Sequence, residues 1–159
     1  MMWKCGVFEN QNQESLAALT DLFRETGLRA EPVPGHPGLF AAAVFLPGLP
    51  ALPGREVCCE AAAVPGSPTV PLRGLLAGRT VTYGFSPKDT LTVSSLEGPP
   101  LLSLQREILT LNGAHIPVCE LKFEKNFPVT ERVLGAVAGL LLCGVPPETL
   151  QQLDLGPLE

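Results

Sequence analysis

Residues Lys4 to Ala30 read KCGVFENQNQESLAALTDLFRETGLRA, and this stretch decides the fold. Trp3 to Phe8 is a short apolar run suited to a buried strand. A polar stretch, Glu9 to Glu14, follows. Leu16, Leu19, Leu22 and Phe23 then recur at helical spacing, which places one apolar stripe on a helix. Gly27 stands where a helix-ending glycine belongs, and Leu28 is its apolar follower. The unit is therefore strand, short loop, amphipathic helix.

Further strands follow downstream, with no internal repeat. Leu39 to Leu46, Glu56 to Val64 and Arg79 to Phe85 are predicted strands, and the first is continuously apolar, as in strands covered on both faces. Val33 to Gly38 reads as a turn-rich connection. Strand–helix–strand order with apolar strands implies a mostly parallel α/β sheet. The character changes after Ser86. Thr90 to Ser94, Leu101 to Leu111 and His115 to Phe123 read as antiparallel strands, and Asn112-Gly113 is a type I′ hairpin signal. Val129 to Cys143 reads as a helix apolar nearly all round, closed by Gly144. Pro146-Pro147 opens a short helix over Glu148 to Leu153.

The whole, 1–159, is expected to be one domain: 1–85 parallel, 86–128 antiparallel, 129–159 helical. Hydrophobic residues make up 45% and charged residues 17%, enough apolar matter for a packed core. The net charge is −5 and no basic run occurs, so no nucleic-acid partner is expected. No run is long enough to span a membrane, and MMWKCGVF is too short for an export signal. The five cysteines are Cys5, Cys58, Cys59, Cys119 and Cys143; with no C-x-x-C pair they read as reduced, buried thiols of a cytoplasmic protein.

Three stretches, in order, carry a family resemblance. Gly6-Val7 with LTDLFRETGLRA, then RTVTYGFSPKD (Arg79 to Asp89), then VLGAVAGLLLCGVPPETL (Val133 to Leu150) resemble the central, ATP-binding domain of the Mur ligase family. Such ligases join an amino acid to a cell-wall precursor or to folate through an acyl phosphate. The resemblance implies a Rossmann-like, P-loop-like, mostly parallel sheet with flanking helices and an antiparallel hairpin extension in the C-terminal half.

The loop departs from the family's chemistry. A phosphate loop needs glycines that turn N–H groups to the ligand, a lysine, and a hydroxyl for magnesium. In register, Glu9 and Asn12 stand at glycine positions, Gln13 at the lysine and Glu14 at the first hydroxyl. Two like charges a few ångströms apart repel by ~1 kcal/mol even in water. The plain structural role is a helix capped by Asn10 or Asn12, with Glu14 complementing its dipole. The interval before the Tyr-Gly strand holds no lysine, and His36 is its one histidine. The reading is thus a degenerate domain with no catalytic residue and no cofactor, acting as a binding or assembly partner, and with no second ligand beside His36 or His115 no metal is expected. A separate rival is a subunit completed by another chain, or by a second copy, over apolar surface around Leu39 to Leu52. The other rival is an enzyme of another kind with a pocket at the carboxyl ends of the strands, lined by Glu9, Asn10, Asn12 and Asp89.

Other residues read as structural. Cys58-Cys59 has no nearby histidine and looks like core. His115, Lys122, Glu124 and Lys125 look solvated. Asp89 caps a turn after Pro87. Glu107 and Glu120, on the two hairpin strands, do not make an acid–base pair without a pocket.

Overall fold

The computed structural model describes residues 2–10, 14–48, 56–67 and 73–158. Eight strands form one sheet: β1 (Trp3–Phe8), β2 (Ala30–Pro34), β3 (Gly38–Phe45), β4 (Val57–Pro65), β5 (Leu75–Tyr83), β6 (Leu91–Ser95), β7 (Leu101–Leu104) and β10 (Cys119–Lys122). Their order across the sheet is β10-β7-β6-β5-β4-β3-β1-β2. From β2 to β6 every pair is parallel, while β7 alone runs the other way, antiparallel to both β6 and β10. The mostly parallel α/β sheet expected from the alternating strand and helix patterns is therefore present.

The helices α1 (Glu14–Thr26) and α2 (Glu131–Cys143) both contribute to one apolar cluster, with Cys5, Val7, Ala42, Val44, Ala61, Ala63, Val81 and Tyr83 of the sheet. Alternate residues such as Phe8, Ala43, Phe45 and Ala62 form a second cluster on the other face. Phe8 stacks on Phe45 and meets Phe40 edge-on there. Small residues set how closely α2 approaches the sheet. Ala61 and Ala63 present only methyl groups, and Gly135 and Gly139 lie one helical turn apart. A Cβ at Gly135 would stand 2.8 Å from Tyr83 Cζ. Thr130 caps α2 through the Val133 N–H, and Gly144, at φ 112°, ends it in a left-handed conformation. Gly27 does the same for α1 at φ 69°, with Leu28 N–H donating to Phe23 O at 3.3 Å.

Three features differ from the sequence reading. First, Ala30–Pro34, which includes the start of the expected turn, is a strand. Its two prolines are tolerated because β2 is the outermost strand and pairs with β1 alone. Gly35 then donates to Val7 O at 2.9 Å and crosses β1 so closely that a Cβ would meet the Phe8 ring at 2.5 Å. Second, Leu101 to Leu111 is not one strand. It divides into β7 and the short β8 (Ile108–Leu109), which pairs with β9 (His115–Ile116) as a separate hairpin. Its turn is not type I′. Thr110 N–H donates to Ala114 O, Gly113 N–H to Thr110 O, and Gly113 sits at φ 83°. That is a three-residue loop ending in a left-handed glycine. Third, parallel pairing continues past Phe85, since β6 joins β5 at Tyr83 and Leu91.

The expected final helix is the short α3 (Pro147–Leu150), followed by a 3₁₀ turn, Gly156–Leu158. Among the described residues no helix is long and apolar enough to cross a membrane.

Candidate functional site

In an open parallel sheet the side used for ligands is the one where the strands end, beside the helix starts. Here β1 ends at Phe8 and the chain returns as α1 at Glu14. The first free N–H groups of α1 point toward this loop, as they do at any helix start. Glu9 fills that position from within the chain. Its Oε1 accepts from Ser15 N–H at 3.2 Å and its Oε2 from Leu16 N–H at 2.8 Å. A carboxylate thus sits on the positive end of α1 with both oxygens engaged.

Of the two residues expected to cap α1, Asn10 gives way to Glu9. Asn12 and Gln13 lie outside the described residues. Glu14 opens α1 and lies 3.9 Å from Arg132 of α2, an exposed pair of small energetic weight. Ser15 escaped the sequence reading. Its hydroxyl is buried and has no hydrogen-bond partner among the described residues. Nothing in the linear pattern marks it, since its burial comes from the fold around the start of α1.

The ends of β4 and β5 form the second part of this side. Tyr83, under α2, donates its hydroxyl to Phe45 O at the end of β3, 2.5 Å away. Burial pushes its phenol pKa far up, and the Glu131 carboxylate adds to this. Beyond Tyr83 is a cavity of about 200 Å³, lined by Gly66, Gly84, Phe85, Ser86, Asp89 and Glu131, among others. Asp89 is buried. Its Oδ2 accepts from Ser86 N–H at 3.1 Å, and its own N–H donates to Ser86 O at 3.0 Å. The turn-capping role expected of Asp89 is what its geometry serves. Gly66 and Gly84 leave the room its carboxylate occupies: a Cβ at Gly84 would stand 2.5 Å from Asp89 Oδ2.

The expected grouping of Glu9, Asn10, Asn12 and Asp89 in one pocket is corrected. Among its described lining, the cavity at Asp89 includes neither Glu9 nor Asn10, and brings in Glu131 instead. Asp89 and Glu131 are the two carboxylates among its described lining residues. No group of three His, Cys, Asp or Glu side chains suited to a metal ion occurs among the described residues.

The other polar residues are spread over the molecule. His115 Nδ1 meets Glu107 Oε1 at 2.5 Å on the exposed hairpin. Glu120 lies on β10. Lys122, Glu124 and Lys125 are exposed, as expected. His36 lies in the crossover loop, tilted against Phe40.

All five cysteines are free, but only Cys5 and Cys143 are fully buried; Cys58, Cys59 and Cys119 are half-buried, which corrects the uniformly buried reading. The Cys59 thiol is pushed up to about 11, first by burial and then by the neighbouring Cys5 and Cys58 thiols. Burial raises Cys119 as well. Raised thiol pKa values work against thiolate nucleophiles. Cys58 stands in register between Leu39 of β3 and Leu76 of β5, so the three share one face. Leu39 is 82% exposed and Leu76 54%.

No family model, no curated protein and no solved structure matches this chain.

Proposed function

We propose that the chain is a Mur-ligase-like frame that has lost ATP-dependent ligation and works as a binding or assembly module for a protein partner. One observation carries the reading: the Glu9 carboxylate on the N–H groups of Ser15 and Leu16. A nucleotide phosphate placed there would have to displace a carboxylate held covalently nearby, and would meet the charges of Glu9 and Glu14. The exposed Leu39 and Leu76 flanking the half-buried Cys58 across three adjacent strands support the assembly half of the reading.

The rival, a small-molecule enzyme working at the strand ends, has the cavity beside Asp89 in its favour. At about 200 Å³ that cavity falls below the usual ligand range of roughly 300–1,000 Å³. Its buried carboxylate is also already engaged with the Ser86 N–H.

Thermal unfolding in millimolar Mg-ATP tests the proposal. An unchanged midpoint is expected, and a clear rise overturns it, because a ligand that binds only the folded state must raise the midpoint. Light scattering of the same protein reads self-association directly.

A further inference from the structure

A larger cavity lies elsewhere, at the opposite end of α2. The β8–β9 hairpin, the start of β10 and the elbow between α2 and α3 enclose about 490 Å³. We infer that this cleft is a binding site for a small organic cation with an apolar body.

The volume lies within the range of small-molecule sites. Ile116 and Val145, both buried, form apolar lining, and Pro146 and Pro147 of the elbow add apolar wall. Two carboxylates, Glu120 and Glu148, also line it. No lysine or arginine stands among its described lining residues. The His115 imidazole at the cleft is already engaged by Glu107. An anion would therefore meet two carboxylates with no lining lysine or arginine beside them, the nearby Arg79 being engaged by Leu109 O, Thr110 O and Glu60, whereas an ammonium group would find attraction from the carboxylates and apolar surface to cover its body.

The walls are held before any ligand arrives. Leu111 N–H donates to Leu142 O at 2.8 Å, which ties the hairpin to the last turn of α2 and fills a carbonyl that the helix end leaves open. Arg79 of β5 donates Nε–H to Leu109 O at 3.0 Å and Nη2–H to Thr110 O at 3.2 Å. Gly144 lies against the Asn112 amide, where a Cβ would stand 2.9 Å from Nδ2. Thr110 also hydrogen-bonds the Asn112 side chain. A cleft fixed in this way binds with little ordering cost. It is separate from the Glu9 loop, so its failure would leave the reading of that loop intact.

The test is a titration of the isotope-labelled full chain, followed by amide NMR. The probes are phenethylammonium chloride and sodium 3-phenylpropionate, which share an aryl body and carry opposite charge. Saturable shifts centred on Ala114, Gly144 and Val145 are expected with the cation alone. E120Q and E148Q should each weaken it by about threefold, as expected for a partly exposed charge contact. Three results overturn the inference: no shifts with the cation, equal shifts with both probes, or an affinity unchanged when both carboxylates are replaced.

Discussion

Gly139 of α2 lies directly over Val44 of β3: a Cβ added at Gly139 would stand 2.5 Å from Val44 Cγ2. The contact is closer than any real methyl group tolerates, and Val44 is itself buried with little room to move. In isolation an alanine would favour the helix by up to about 1 kcal/mol over glycine. In this packed setting the overlap costs about 1–3 kcal/mol. G139A is therefore expected to lower the unfolding midpoint, and denaturant titration of the two proteins checks it.

The cap on α1 gives a second outcome. E9A removes both acceptors from the N–H groups of Ser15 and Leu16. A lost cap costs about 0.5–2 kcal/mol. Amide hydrogen exchange should show faster exchange in the first turn of α1, with α2 little changed. Equal exchange in both proteins would mean that the cap carries no energy.

Ser15 points the other way. Its hydroxyl is buried without a partner among the described residues, and an unpaired buried polar group costs about 1–3 kcal/mol. S15A is expected to leave stability unchanged or to raise it, measured by the same denaturant titration. A loss beyond about 1 kcal/mol would show that the hydroxyl does have a partner in solution.

Alkaline pH should destabilise the protein. The folded-state pKa values of Tyr83, Cys59, Cys119 and Cys143 are all raised. For Cys143 the first cause is a hydrogen bond with the Cys5 thiol, and burial follows. In the unfolded chain these groups ionise at about 8.5 for a thiol and about 10 for a phenol. Above those values the unfolded state has released protons that the folded state still holds, so stability falls as pH rises. Their contribution is full below about pH 8 and declines through the alkaline range. Thermal unfolding across that range reads it. In Y83F the decline above about pH 10 should be shallower, although Phe45 O then loses its donor and the whole curve lies lower.

The elements with strong local signals were legible in the sequence. Trp3–Phe8 stood out as an apolar run, α1 by its stripe and Gly27, and α2 by its apolar length and Gly144. Ala30–Pro34 was hidden because its prolines argue against a strand unless its place at the rim of the sheet is known. The hairpin at Asn112-Gly113 was visible, but its register depends on a Thr110–Ala114 hydrogen bond that no dipeptide encodes.

The site was legible only in part. The residue types that set Glu9, Asn12, Gln13 and Glu14 apart from a phosphate loop could be read position by position. The seating of Glu9 on Ser15 and Leu16 could not, because it depends on how the intervening loop turns back. Glu131 and Gly66 come to Asp89 from distant parts of the chain, through sheet order and helix placement that local patterns do not specify.

The prolines of β2 have one more consequence. Gly35 N–H turns inward to Val7, so by the two-residue period of a strand the positions of Pro32 and Pro34 turn outward. Proline has no N–H to offer there. A foreign chain sliding alongside would find acceptors but no donors at both positions, and could not knit itself on as a ninth strand. At this edge of the sheet the two missing donors act as a guard against runaway polymerisation.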